Sequence, residues 1–156
     1  MADAMLRDRI KAELKAAMKA REQRKTATLR LISAALKDRD IAARGKGVRD
    51  GIDETQILGM LQTMVKQREE SIGHYEQGGR LEMVEQEREE IAIITGFLPP
   101  RLDEAAMEDV IGSVMAELGA ESIKDMGRTM AALRERYAGQ MDFGKASAVV
   151  KSRLAL

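Results

Sequence analysis

The only two prolines in this 156-residue chain are adjacent, at positions 99 and 100, and they follow a Phe97-Leu98 pair. Long stretches rich in helix-forming residues stand on both sides of them. Because proline lacks an amide donor and disfavours helical geometry in the residue before it, the pair interrupts any helix. We therefore predict an all-α protein in two pieces, an N-terminal four-helix domain over 1–98 and a small C-terminal three-helix domain over 99–156.

The composition supports a helical protein that works in water. Charged residues make up 33% of the chain and aromatic residues only 3%. The absence of cysteine excludes disulfides, thiolate metal sites and cysteine nucleophiles. No apolar run approaches the roughly 18 residues needed to cross a bilayer, and the first ten residues are charged rather than signal-like. We expect a cytoplasmic protein with no membrane partner.

The net charge of zero conceals a strong asymmetry along the chain. Residues 1–49 carry 14 Lys or Arg against 6 Asp or Glu, whereas residues 50–98 carry 4 against 11. Residues 99–156 are nearly balanced, with 8 against 9. A basic segment followed by an acidic one indicates either a footprint for a polyanion or two surfaces that neutralise each other within the fold.

Apolar residues recur at helical spacing in four segments of the first piece. The first predicted helix spans about 3–22, and the second begins after an N-cap at Thr26 and ends just before Gly45. The third begins at a capping box of Asp53 and Gln56 and ends at the Gly78-Gly79 pair. The fourth spans about 81–95.

The same spacing assigns a core side to each helix. In the first helix the core side includes Met18, and in the fourth it includes Leu81. Arg68 falls on the core side of the third helix. The glutamates of the fourth helix are predicted to face solvent, partly paired with Arg80 and Arg88; they are Glu82, Glu85, Glu89 and Glu90.

The second piece shows the start and stop signals of three short helices. Asp103 is an expected N-cap, Ser122 and Asp125 form an expected capping box, and Asp142 is expected to cap the last helix. Gly119 and Gly139 are the expected stops between them.

No cluster of residues resembles a catalytic centre. His74 is the single histidine, and side-chain metal sites usually recruit two or more histidines or cysteines. No serine or cysteine stands at motif spacing from it. The Gly45-Lys46-Gly47 triplet lacks the second spaced glycine, the following lysine and the hydroxyl residue of a phosphate-binding loop. We therefore predict no catalytic residue, no metal and no cofactor.

Two sets of cations are candidates for binding a polyanion. The first is a row at four-residue spacing, which is either a solvated face or a stripe for RNA: Arg7, Lys11, Lys15 and Lys19. The second is in the C-terminal piece, where Lys124 and Arg128 lie four residues apart with Gly127 between them, Lys145 lies in the first turn of the last predicted helix, and Lys151 follows it. Because the chain has few aromatic residues to stack on bases, such contacts would go to the RNA backbone.

The order and spacing of several stretches resemble the YqeY family of the GatB/YqeY group. These stretches are Lys15-Ala16-Ala17-Met18-Lys19, Leu29-Arg30-Leu31-Ile32, Lys66-Gln67-Arg68-Glu69-Glu70-Ser71-Ile72, Gly79-Arg80-Leu81 leading to Glu87 and Glu90, Phe97-Leu98-Pro99, Lys124-Asp125-Met126-Gly127-Arg128, and Asp142 with Lys145, Val149, Val150 and Lys151. Together they cover essentially the whole chain.

This resemblance implies a helical fold similar to the C-terminal tail of the B subunit of the tRNA-dependent Asp/Glu amidotransferase. The tail contacts tRNA, while the chemistry takes place in a separate catalytic domain. The resemblance therefore implies a non-catalytic module that binds tRNA or a tRNA-bound enzyme, with no DNA partner. Two alternatives stay open, a protein-interaction partner of an amidotransferase or other translation enzyme, and a carbon-nitrogen ligase with glutamine as amide donor, as family labels suggest.

Overall fold

A computed structural model describes residues 5–155, and within that range the chain contains α-helices and no strand. The all-α prediction is confirmed. The helices are α1 (Leu6–Lys19), α2 (Gln23–Gly45), α3 (Glu54–Gln77), α4 (Leu81–Thr95), α5 (Glu104–Leu118), α6 (Met126–Arg136) and α7 (Phe143–Leu154). None of the helices in this range is long and apolar enough to cross a membrane. The chain divides into two compact units, with the boundary between Leu98 and Pro99.

The first unit holds α1 to α4 around one apolar core. Helix α3 packs along α4, α1 packs along α2, and α2 also packs against α4. Leu29 and Ile32 of α2, Leu61 of α3 and Ile94 of α4 are fully buried. Burying a side chain of this size contributes about 1.5–3 kcal/mol, so this core supplies most of the force that holds the four helices together.

The turn between α1 and α2 differs from the prediction. Helix α1 ends at Lys19, and α2 begins at Gln23 rather than after an N-cap at Thr26. The reason is Arg21, which adopts the left-handed conformation (φ 58°) that commonly ends a helix. The chain reverses within three residues, so α2 starts one turn earlier than expected. Asp3, the predicted start of the first helix, lies outside the described residues.

The boundaries of α3 and α4 agree with the prediction. The capping box is confirmed, because Gln56 N donates to Asp53 Oδ1 at 2.9 Å and Asp53 N donates to Gln56 Oε1 at 3.0 Å. Gly78 and Gly79 follow α3, and α4 spans the predicted segment.

Three side chains of the first unit lie on the opposite side from the predicted one. Met18 is 50% exposed because its neighbour Ala17 takes the buried position, and Leu81 is 71% exposed at the first residue of α4. Glu90 was expected to face solvent but is buried, and Arg68 Nε donates to its Oε2 at 3.0 Å. This ion pair lets a glutamate occupy the α3–α4 contact.

The exposed glutamates of α4 also differ from the prediction in their partners. Glu89 pairs with Arg24 of α2 at 2.9 Å, rather than with Arg80 or Arg88. Arg88 pairs with Glu76 of α3 at 3.3 Å. Ion pairs thus link the acidic helix α4 to its neighbours. This agrees in part with the interpretation that the basic and acidic segments neutralise each other within the fold.

The second unit packs α5, α6 and α7 around its own core, in which Ile111, Leu133 and Val150 are fully buried. The predicted caps are confirmed at two helices. Asp103 accepts from Ala106 N at 2.7 Å, and Asp142 accepts from Gly144 N at 2.8 Å.

The predicted Ser122–Asp125 capping box is also present, but it opens a short 3₁₀ turn, Ile123–Asp125, directly before α6. The Asp125 carboxylate accepts from Ser122 N at 3.1 Å and from Glu121 N at 2.9 Å. These bonds tighten the first turn, so the α-helix proper begins at Met126, four residues after the capping residue.

Candidate nucleic-acid interface

A partly buried ion pair fixes how α1 lies on α2. Arg7 of α1 bonds to both carboxylate oxygens of Asp40 on α2, with Nη2 2.9 Å from Oδ1, and Nη2 also donates to the carbonyl of Ile52 at 2.8 Å. Asp40 Oδ1 accepts from Ile52 N at 2.9 Å. The Asp40 side chain is only 7% exposed. One carboxylate therefore joins α1, α2 and the loop before α3.

The hydrogen bond from Arg7 lowers the pKa of Asp40, and burial opposes this shift less strongly. The carboxylate therefore stays ionised at neutral pH. Gly51 packs directly against it: its φ is +81°, and a Cβ there would lie 2.3 Å from Asp40 Oδ1. The start of α1 is held separately, since Leu6 N donates to Glu54 Oε1 at 3.1 Å.

The Arg7–Asp40 contact also determines which side chains line the outer seam between the two antiparallel helices. Viewed down each helix axis, the core residues lie on one side of the contact and exposed cations lie on the other. On α1, each step of four residues from Arg7 turns about 40° away from the core. This step reaches three exposed lysines in turn: Lys11, Lys15 and Lys19.

Helix α2 carries a matching row on its side of the seam. Lys37 lies about 60° and Arg30 about 80° around the helix from Asp40, both away from the core. With Arg44 they form a line at seven-residue spacing, about 10.5 Å between successive members. The Nε of Arg44 donates to Arg49 O at 3.2 Å, so Arg44 holds the following loop.

Sequence reasoning missed Arg30 and Lys37. The seven-residue spacing of Arg30, Lys37 and Arg44 was visible in the sequence. Only the Arg7–Asp40 contact, which sets the register of α1 against α2, shows that these cations lie beside the lysines of α1.

These residues form what we call the basic face, which consists of Lys11, Lys15, Lys19, Arg30 and Lys37. All five are exposed, and none forms an ion pair with another residue in the described range. Asp8 is the one acidic residue on the exposed side of α1. The first unit therefore presents a positive surface that its own acidic helix does not neutralise.

Arg7 was predicted to share the RNA-binding row, but the structure engages its guanidinium with Asp40 and Ile52. The row thus contributes three lysines to the surface, and Arg7 positions them.

In the second unit the predicted cations do not converge on one point. Arg128 bonds to Asp125 at 2.9 Å and donates to the carbonyls of Leu118 at 2.6 Å and Gly119 at 3.5 Å. It therefore closes the C-terminal end of α5. Lys124, in the 3₁₀ turn at the same end, is exposed.

Lys145 lies at the opposite end of α5. It lines a cleft of about 320 Å³ beside the N-termini of α5 and α7, together with Arg101, Leu102, Asp103, Glu104, Met107, Met141 and Asp142. A 15-residue helix is about 22 Å long, so Lys124 and Lys145 cannot hold the same phosphate.

Two further predicted residues of this unit lie in open surroundings. Lys151 is exposed on α7. A Cβ at Gly127 would have no neighbour within 4 Å, so no packing inside the unit requires glycine there.

A family model described as Yqey-like protein matches residues 7–154 of this chain. The chain belongs to the Yqey-like protein family. Its curated relatives include proteins named "Altered inheritance of mitochondria protein 41, mitochondrial". The one from Lachancea thermotolerans is 30% identical over 111 residues, which are 70% of this chain and 57% of the relative. Those from Saccharomyces cerevisiae strain YJM789 and Eremothecium gossypii are each 30% identical over 89 residues, 57% of this chain and 46% of the relative.

This Yqey-like chain spans about half the length of the curated relatives it matches. The relatives are named as mitochondrial proteins, so they do not support the cytoplasmic location expected from the sequence, which stays a prediction. Their names state no reaction.

Proposed function

We propose that this Yqey-like protein is a non-catalytic helical module that binds tRNA, or a translation enzyme carrying tRNA, through the basic face. One observation carries the proposal: the basic face holds five exposed cations that form no ion pair within residues 5–155. They lie on two helices whose register is fixed by the Arg7–Asp40 ion pair. The exposed cations of the second unit, Lys124, Lys145 and Lys151, supply further phosphate contacts.

The chemistry of the basic face suits a phosphate backbone. Lysine is a compact point charge that binds phosphate without needing a fixed geometry. Each phosphate that a cation neutralises releases condensed counterions, which makes the affinity fall steeply as salt rises. Such contacts position an RNA on a protein without reading its bases.

The test is equilibrium binding of purified protein to labelled tRNA, measured by fluorescence anisotropy over a series of salt concentrations. We expect binding clearly tighter than the roughly 10⁻⁴ M end of non-specific binding at about 50 mM salt, weakening as salt is raised. A Kd no tighter than roughly 10⁻⁴ M at low salt would contradict the proposal.

A protein partner is the second candidate, because two large apolar side chains on α2 stand in solvent. Leu31 is 48% exposed and Ile41 is 55% exposed. A tagged pull-down with and without ribonuclease separates the two candidates: capture of tRNA, or of a protein lost on ribonuclease treatment, supports the RNA proposal. Capture of a protein that resists ribonuclease supports the protein partner.

The carbon-nitrogen ligase alternative has its own test. A ligase would release an amide product that depends on both glutamine and ATP when the purified chain is supplied with aminoacyl-tRNA. We expect no such product from this chain.

A further inference from the structure

We infer that the basic face binds the backbone of a double-stranded RNA stem rather than a single strand or an exposed loop. This inference rests on the proposed function and names the part of an RNA that fits the surface. It follows from the arrangement of the cations, the rigidity of the two helices and the position of the aromatic residues.

The cations stand in two rows with fixed spacing. Lys11, Lys15 and Lys19 are about 6 Å apart along α1, and Arg30 and Lys37 are about 10.5 Å apart along α2. Packed helices have axes about 8–10 Å apart, so the two rows lie on either side of the seam, and the α1 row turns about 40° further from it at each step. A duplex likewise presents two rows of phosphates on either side of a groove, whereas a single strand presents one.

The helices that carry the rows are held firmly. Helix α1 is fixed to α2 and to the loop before α3 by the bonds of Arg7, and its first amide is capped by Glu54. Three positions of α2 are fully buried: Thr28, Leu29 and Ile32. A rigid surface binds a rigid duplex with little ordering cost, but a flexible strand must lose conformational freedom to match it.

The first unit offers no platform on which bases could stack. Of its two aromatic residues, Tyr75 is half-buried on α3 and Phe97 is buried, with the Arg9 guanidinium 5.4 Å from its ring centroid. Neither lies on α1 or α2. Proteins that hold single strands without sequence preference usually stack successive bases on aromatic side chains, and each stacked base contributes about 1–3 kcal/mol. That contribution is missing here.

The shape of A-form RNA points to the groove involved. Its major groove is too deep and narrow for side chains to read, whereas its minor groove is wide and shallow and displays the 2′-hydroxyl groups. Ser33 and Thr26 are half-buried on the side of α2 that faces the seam, between the two rows. In the inferred complex these hydroxyls meet 2′-hydroxyl groups while the cations meet phosphates on both strands.

The experiment is a competition measured by fluorescence anisotropy with the full chain. A labelled blunt RNA duplex of roughly 16 base pairs, the span of a typical double-stranded RNA-binding domain, is displaced by unlabelled competitors. The competitors are the same RNA duplex, each of its single strands, and a DNA duplex of the same sequence.

We expect the RNA duplex to compete at least tenfold better than either single strand, and better than the DNA duplex. Single strands that compete as well as the duplex would overturn the inference while leaving RNA binding intact. If the labelled duplex and tRNA both fail to bind, the proposed function fails as well. The two failures are therefore distinguishable.

A pair of single variants assigns the binding to the basic face. Arg30→Ala should weaken duplex binding and lower the salt slope by about one, the change for one lost phosphate contact. Arg39→Ala removes the same charge from an exposed position about 160° around α2 from Lys37 and should leave both quantities unchanged. Equal effects of the two variants would contradict the assignment. Circular dichroism confirms that both variants are folded.

Discussion

Asp40 Oδ1 lies 2.9 Å from both Arg7 Nη2 and Ile52 N, so one carboxylate oxygen holds a cation of α1 and an amide of the loop before α3. This contact determines the register of the α1–α2 hairpin. The register in turn places the two basic rows on one surface. The stability and the proposed function of the first unit therefore depend on the same contact.

Breaking the ion pair should strongly destabilise the first unit. Arg7→Ala leaves the buried Asp40 carboxylate without its charged partner, and we expect a loss toward the lower end of about 3–5 kcal/mol, because the Ile52 amide still donates to it. The free energy of unfolding is measured in urea by circular dichroism. Arg88→Ala is the matched control: it breaks the exposed Arg88–Glu76 pair and should cost less than about 1 kcal/mol. Equal losses in the two variants would refute the structural role of Arg7.

The same carboxylate predicts a pH dependence. Because the pKa of Asp40 is lower in the folded protein than in the unfolded chain, its contribution is complete above the unfolded value of about 3.9. The contribution is lost as pH falls through the lowered folded pKa. The difference in unfolding free energy between wild type and Asp40→Asn should be constant at neutral pH and should shrink below about pH 4. A difference that stays constant down to acid pH would contradict the ion pair.

Two glycines separate the effect of backbone conformation from that of the Asp40 contact. Gly47 and Gly51 both have a left-handed φ, of +91° and +81°, but only at Gly51 would a Cβ meet Asp40. Gly47→Ala should cost only the strain of the backbone, about 1–2 kcal/mol. Gly51→Ala should cost more, since the methyl group must displace the carboxylate that binds Arg7. Equal unfolding free energies for the two variants would show that Asp40 is not packed there.

In the second unit, the pKa of Asp125 reports on the hydrogen bonds that its carboxylate accepts. Bonds from the amides of Glu121 and Ser122, and then from Arg128, lower the pKa of Asp125 to about 2. Its contribution to stability is therefore present above the unfolded value of about 3.9 and is lost as pH falls toward about 2. NMR titration of the carboxyl carbon should show this low midpoint, and Arg128→Ala should raise it. An ordinary midpoint in the wild type would contradict the geometry of the turn.

Features that depend on neighbouring residues were accessible from the sequence. The Asp53–Gln56 capping box, the Asp103 and Asp142 caps and the glycines that end α3 all act within a few residues, and the structure contains each of them. The start of α2 was missed because it depends on Arg21 adopting a conformation that arginine rarely takes.

Features that depend on tertiary register were not accessible. Arg7 and Asp40 are 33 residues apart, and nothing in either local pattern pairs them. The burial of Glu90 likewise requires Arg68 on a different helix. The fold therefore separates the predicted row into Arg7, which bonds to Asp40, and three exposed lysines of the basic face. The cations of α2 join the basic face only through that register.

Binding of the RNA backbone by the basic face is tested by the salt dependence of tRNA binding. The variant to compare with wild type replaces Lys11, Lys15 and Lys19 with alanine, and the control replaces Arg39 and Lys66, which are exposed on other sides of the same unit. We predict that the slope of log K against log salt falls by about one for each of the three lysines and is unchanged in the control. A triple variant whose slope equals that of wild type would contradict the claim.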